Sequence, residues 1–177
     1  YYSVSPSATD EQKILSQTFA DSVGKYEPPV IESIVAYSYL ITGGENIAIA
    51  RIWLTLFWLI AGIALFDLMK RVVSPWSALI ALSFYLVLPF SVQASRSFQP
   101  DPLMTSAFVI GIYFLYRWSE EVSNEKTSWK FAILAGIFLG FATFVKIVIA
   151  FFVGAAAIAL VLFTLGKSFY KSKQVWT

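Results

Sequence analysis

Few residues in this chain can do chemistry, and they are sparse enough to name. There is no Cys and no His among its 177 residues. That removes the thiol nucleophile, the disulfide, the thiolate metal site and the commonest general base. What remains is a small set of carboxylates and cations inside apolar sequence. Glu27 stands in Lys25-Tyr26-Glu27-Pro28-Pro29, and Glu32 follows about one helical turn into an apolar run. Arg51 stands near the start of a long apolar segment. Arg96, Gln99 and Asp101 share Ser95-Arg96-Ser97-Phe98-Gln99-Pro100-Asp101-Pro102, and Lys146 interrupts apolar sequence between Val145 and Ile147. Clustered cations suit phosphate or pyrophosphate. A carboxylate beside them can act as general base toward a hydroxyl without a metal. Glu27 or Asp101 leaves room for a divalent cation, but without His or Cys nothing specifies one.

The elements that must position these residues are membrane helices. Hydrophobic residues make up 58% of the chain and charged residues 14%, with mean hydropathy +0.68. Soluble domains carry roughly 25% charge, and one of this length could not hide so much apolar surface. A net charge of +2 gives no reason to expect a nucleic-acid partner. The chain starts at Tyr1 with no signal peptide and ends after basic residues, so it reads as a segment of a longer protein.

Residues 1–29 are polar and mixed. Ser7 or Thr9 can cap a short helix whose first turn holds Asp10 and Glu11, and Ile14, Leu15, Phe19 and Val23 then recur at amphipathic spacing. Val30 to Thr42 is apolar, but at about 1.5 Å per residue it spans roughly 20 Å against a hydrocarbon core of about 30 Å. It therefore reads as interfacial or re-entrant. Ile47–Met69, Val72–Phe90 and Leu103–Tyr116 read as spans, the last with Pro102 as its first helical residue. Lys146 divides the long run from Trp129 to Gly166 into Phe131–Val145 and Ile147–Leu165. Gly136 and Gly140 have the spacing that lets membrane helices approach closely. Trp53, Trp58, Trp76, Trp118 and Trp129 read mostly as interfacial anchors.

The expected fold is an all-α, polytopic transmembrane helical bundle with amphipathic juxtamembrane helices. It divides into a loop region 1–46, a bundle of about five helices over 47–166 and a basic tail 167–177. With five crossings, Lys70, Arg71, Arg117, Lys126, Lys130, Lys167, Lys171 and Lys173 share one face. The positive-inside rule makes that face cytoplasmic. The other, extracytoplasmic face collects residues 1–46, the Ser91–Asp101 loop and Lys146.

Each candidate also has a plain structural role. Arg51 can snorkel to headgroups; so can Lys146, although Val145 and Ile147 leave it little room. Asp101 can cap the helix beginning at Pro102, which is worth about 1 kcal/mol. Glu27 can be an ordinary solvated carboxylate. Asp67 suits a helix-end ion pair with Lys70 or Arg71. Ionisable groups at membrane depth are nevertheless costly and usually paired, which makes them functional candidates.

The ordered motifs Glu27-Pro28-Pro29-Val30, Gly43-Gly44-Glu45, Ile49-Ala50-Arg51-Ile52, Ser95 to Met104, Gly136-x3-Gly140 and Val145-Lys146 carry a resemblance. The chain resembles the amino-terminal part of polytopic glycosyltransferases of the dolichyl-phosphate-mannose protein mannosyltransferase and aminoarabinose transferase type. The resemblance implies transfer of a sugar from a polyprenyl-phosphate donor to an acceptor protein, lipid or glycan at the extracytoplasmic face. It also implies an inverting site beneath juxtamembrane helices of the first outer loop, of which Val30–Thr42 would be one.

By the same resemblance, Asp101 matches the acidic residue of the second outer loop and becomes the catalytic candidate. Arg96 matches the basic residue before it, and Lys146 the lysine at the outer end of the fifth span, where the donor phosphate is expected. With Gln99, Glu27 and Arg51 these form the substrate-binding set. Glu27 departs from the pattern, since many relatives carry Lys before the prolines. The family's principal catalytic acid follows a membrane helix that would precede Tyr1, so the segment alone is expected to be inactive. Two other readings remain: a non-catalytic scaffold subunit of a membrane complex, and a small-molecule transporter, which should show internal repeats that this sequence lacks.

Overall fold

The structure, a computed structural model, describes residues 9–11, 13, 14, 17, 18, 27–124 and 129–166. Among these the regular secondary structure is all helical, with no strand. Residues 10, 11, 13, 14, 17 and 18 are helical, with the Lys13 amide donating to the Thr9 carbonyl. The expected cap at Ser7, the apolar positions Leu15, Phe19 and Val23, and Lys25, Lys126, Lys167, Lys171 and Lys173 lie outside the described residues. Seven longer helices follow: α1 Val30–Thr42, α2 Ile47–Val72, α3 Pro75–Val87, α4 Pro89–Arg96, α5 Asp101–Ser123, α6 Trp129–Val145 and α7 Ala150–Leu165. A 3-10 turn, Ile147–Ile149, leads into α7.

Local chemistry sets most of the ends. Gly43 ends α1 in the left-handed region at φ 76°, which costs glycine nothing, and its N–H bonds the Tyr39 carbonyl. Asn46 caps α2 by accepting from the Ala48 amide at 2.9 Å. Ser74 caps α3 by accepting from Ser77, with Pro75 just inside the helix. Pro89 drives Leu88 out of helical geometry (φ −54°, ψ 137°), and α4 leaves α3 at 59°. The expected single span Val72–Phe90 is therefore two helices. Arg96 belongs to the end of α4 and not to a free loop.

Among the described residues two helices are long and apolar enough to cross a membrane, Ile47–Val72 and Ile147–Thr164; the bent α3–α4 pair makes a third if counted as one span. The 23-residue α5 carries Asp101, Arg117, Glu120 and Glu121, and α6 has 17 residues. Large apolar side chains such as Ile63, Phe84, Phe151 and Phe163 are exposed, and none of α7 is buried. Water does not tolerate so wide an apolar exterior, whereas lipid does. The protein is an integral membrane helical bundle.

Contacts at the helix ends set the directions. Leu54 of α2 and Leu103 of α5 share a core with Val145 of α6 and Ile31 of α1. At the far ends Arg71 of α2 meets Glu120 of α5 at 3.8 Å, so α2 and α5 run parallel. Leu115 and Trp118 pack on Ala135 and Leu139, making α6 antiparallel to α5. Ser119 and Thr164 hydroxyls lie 2.6 Å apart, which sets α7 parallel to α5. Tyr85 of α3 stacks on Trp58 at 4.4 Å and donates to its carbonyl. One end of the bundle thus gathers α1, the start of α2, α4, Asp101 and Lys146. The other gathers Lys70, Arg71, Arg117, Glu120 and Lys130.

That second end is tied by Arg71–Asp67 at 3.0 Å, as expected for the helix-end pair, and by Arg117–Glu120 at 3.3 Å. The Arg117 guanidinium also lies 4.9 Å over the Phe131 ring. Trp58 and Trp118 are buried, so they pack helices where interfacial anchoring was expected; Trp76 is exposed. Gly136 and Gly140 would meet nothing if given a Cβ, so their spacing marks no helix contact among the described residues.

α1 is held on α2 by burial of Ile31 and Val35 and by one directed bond, the Trp53 indole N–H donating to Ser38 Oγ at 2.9 Å. Trp53→Phe keeps the ring and removes the bond, at a cost of about 1 kcal/mol. Amide exchange across residues 30–42 is expected to speed up severalfold while α2 stays protected. Unchanged exchange would show that the apolar contacts hold α1 alone.

Candidate functional site

Asp101, Lys146 and Glu27 meet at the first end of the bundle. Lys146 Nζ donates to Asp101 Oδ1 at 3.0 Å and Oδ2 at 3.3 Å, and lies 3.7 Å from Glu27 Oε1. Three separate stretches of chain supply these groups: the turn before α1, the first residue of α5, and the break between α6 and the 3-10 turn.

Each placement has a local cause. Pro100 and Pro102 flank Asp101, and α5 starts with Pro102 already inside the helix. Pro100 is the residue before the helix and no side chain caps it. Asp101 is thus not the cap that its position suggested; its carboxylate turns to Lys146 instead. Lys146 is extended (φ −151°, ψ 110°), and its N–H closes the last turn of α6 on Ala142. From this extended residue the side chain reaches the first residue of α5, Asp101. Beneath the charges lies the core of Ile31, Leu54, Leu103 and Val145, with Met104 and Phe141 against it.

The charges sit at a boundary. Side-chain exposure is 27% for Lys146, 33% for Asp101 and 43% for Glu27, so the apolar floor shields one side and the other stays open. Burial alone would lower the Lys146 pKa. The Asp101 hydrogen bond and charge, joined by Glu27, more than offset it, and the ammonium is held above the ordinary lysine value. One cation therefore faces two carboxylates.

The other expected residues are not part of this trio. Arg96 and Gln99 are exposed at the end of α4 and in the turn to α5, and Arg96 has no ion pair among the described residues. Arg51 is exposed on α2, also without an ion pair there. Glu32 is exposed in the first turn of α1. No group of three or more Asp, Glu, His or Cys placed to hold a metal occurs among the described residues; Glu27 and Asp101 share a lysine in place of one. Sequence reading missed that α4 is a helix delivering Arg96, and Pro89 was the available signal. It also missed the link of Arg71 to Glu120, for which no local signal exists.

No curated protein and no solved structure matches the chain. Residues 26–177 match the family described as dolichyl-phosphate-mannose-protein mannosyltransferase, a stretch that includes Glu27, Asp101 and Lys146. The chain belongs to that family of membrane glycosyltransferases.

Proposed function

We propose that this protein transfers a sugar from a polyprenyl-phosphate donor to an acceptor hydroxyl, at the end of the bundle where Asp101, Lys146 and Glu27 meet. The observation that carries the reading is the lysine shared by two carboxylates over an apolar floor, within a family that transfers sugars. In the reaction the acceptor oxygen bonds to the sugar's anomeric carbon while the bond from that carbon to the phosphate oxygen breaks. The electron pair leaves on the lipid phosphate, and the hydroxyl proton goes to a carboxylate.

Lys146 supplies positive charge where the phosphate departs, and Arg96, exposed at the end of α4 on the same end of the bundle, offers a second cation to it. Asp101, relieved of Lys146 by the incoming phosphate, takes the proton. Gln99 and Glu27 orient sugar hydroxyls.

The alternating helix directions support five crossings, with α3–α4 as one bent span. Lys70, Arg71, Arg117 and Lys130 all lie at the opposite end of the bundle from Asp101. The positive-inside rule makes that end cytoplasmic and the Asp101 end extracytoplasmic. The full-length protein in nanodiscs, supplied with radiolabelled polyprenyl-phosphate mannose and acceptor, tests the reading. Asp101→Asn is expected to lower turnover by about 10²- to 10⁴-fold, the range of a lost general base. Wild-type turnover in that variant would remove Asp101 from the chemistry. No transfer by the wild type from this or other polyprenyl-phosphate sugars would favour a scaffold subunit.

A further inference from the structure

Arg51 is an ionisable residue of α2 that belongs neither to the Asp101 trio nor to the ion pairs of Asp67 and Arg71 at the far end of the helix. It stands in the second turn of the longest span, is exposed, and has no ion pair among the described residues. Successive residues of an α-helix turn by about 100°. The buried positions Ala50, Leu54, Trp58, Ala61 and Gly62 face the bundle; Arg51, exposed in the second turn, projects along the edge of that stripe, and Thr55 and Leu59 lie beyond it. Along that flank, Arg51, Ile52, Thr55, Leu56 and Leu59 help line an open groove of about 610 Å³.

The groove's chemistry is one cation at the end nearer the membrane surface and hydrocarbon below it. From Arg51 to Leu59 it runs about 12 Å along the helix, against about 15 Å for half of a hydrocarbon core. Its ligand must carry one anion at headgroup level and an apolar chain of leaflet depth. A guanidinium presents two parallel N–H groups that match phosphate oxygens, and an unpaired charge at this depth is costly. A zwitterionic headgroup brings its own ammonium to compete for that phosphate, so an anionic lipid fits better.

We propose that the outer face of α2 binds one anionic glycerophospholipid of the surrounding leaflet, with its phosphate on Arg51 and an acyl chain along Ile52, Thr55, Leu56 and Leu59. This site runs along the exposed flank of α2 through Thr55 and Leu59, beside the stripe that carries Leu54, and uses none of Glu27, Asp101 and Lys146. It does not rest on the transfer reaction.

Native mass spectrometry of the delipidated full-length protein, titrated with phosphatidylglycerol or phosphatidylcholine, tests it. One phosphatidylglycerol should be retained about tenfold more tightly than phosphatidylcholine, as a charge-assisted bidentate contact implies. Arg51→Ala should erase that preference, and Arg51→Lys should keep only part of it. Leu56→Trp, which fills the groove and leaves the charge, should weaken retention of phosphatidylglycerol. Equal retention of the two lipids, or a preference that survives Arg51→Ala, would mean that Arg51 only snorkels. Competition by free inorganic phosphate, or one-for-one displacement by a polyprenyl phosphate, would equally overturn the assignment. Thermal unfolding of each variant in detergent confirms that it is folded, and Arg51→Lys carries the test if Arg51→Ala is not.

Discussion

Lys146→Met is expected to lower sugar transfer by about 10²- to 10³-fold, the size of effect seen when one preorganised electrostatic donor is removed from a reacting centre. Methionine keeps most of the stem and its packing over Val145 while deleting the charge. The deletion acts twice. It takes away the cation that would meet the departing phosphate, and it leaves Asp101 and Glu27 facing each other without the group that lies 3.0 Å from one and 3.7 Å from the other.

The stability cost should fall between that of an exposed pair and that of a buried one, about 1–3 kcal/mol, because solvent screens the open side. Lys146→Arg keeps the charge but replaces a compact ammonium with a planar fork, and should recover stability more fully than turnover. Asp101→Asn and Lys146→Met should be strongly non-additive in turnover, as residues of one network are. Wild-type turnover and melting temperature in Lys146→Met would show the contact to be incidental.

The charge of Lys146 also sets a pH window. Its pKa is raised in the folded protein. Its contribution to stability is therefore complete below the ordinary lysine value of about 10.4 and is lost as pH rises through the folded value. Wild type and Lys146→Met should differ by a constant amount through neutral pH and converge only in strong alkali.

The second large effect concerns packing. A Cβ on Gly111 would lie 2.6 Å from both Cγ and Cδ2 of Leu139 and 3.1 Å from its backbone nitrogen. Leu139 is 6% exposed and sits in the core of Leu115, Trp118 and Ala135, so its branch point has no free space to enter. The backbone of α6 cannot yield without moving the whole helix. α5 against α6 is the most extensive helix contact among the described residues.

Gly111→Ala should therefore cost about 1–3 kcal/mol, the usual penalty of overpacking, despite the better helix propensity of alanine. Larger residues should prevent assembly of the pair. Leu139→Ala in the Gly111→Ala background should recover part of the loss. Gly136→Ala and Gly140→Ala meet nothing within 4 Å, and should be neutral or stabilising by up to about 1 kcal/mol. Melting temperatures in one detergent separate these cases, and an undisturbed Gly111→Ala would show that α6 is free to shift. Because α6 ends one residue before Lys146, a shift of this helix would also move the site lysine.

The parts of this protein legible in one dimension are those governed by short-range rules. The membrane class follows from composition. The extent of α1 follows from its apolar run between Pro29 and Gly43. The Asp67–Arg71 pair follows from i, i+4 spacing. Lys146 as a helix break follows from a charge set in apolar sequence. Glu27, Asp101 and Lys146 could be named as candidates because polar residues are rare here.

Their meeting could not be read. Asp101 and Lys146 are 45 residues apart, and Glu27 arrives from a third segment. Only the antiparallel pairing of α5 with α6, and the seating of α1 on Trp53, bring the three together. Tertiary structure alone also chose Gly111 over Gly136 and Gly140 as the close approach, buried Trp58 and Trp118, and left Arg51 exposed. The physical reason is the solvent. In water an apolar stripe tells which face of a helix is inside; in lipid the outside is apolar too, so α2 and α6 carry little facial signal. Which face packs is then decided by shape, by the few polar groups that must find partners, and by the order in which the helices return.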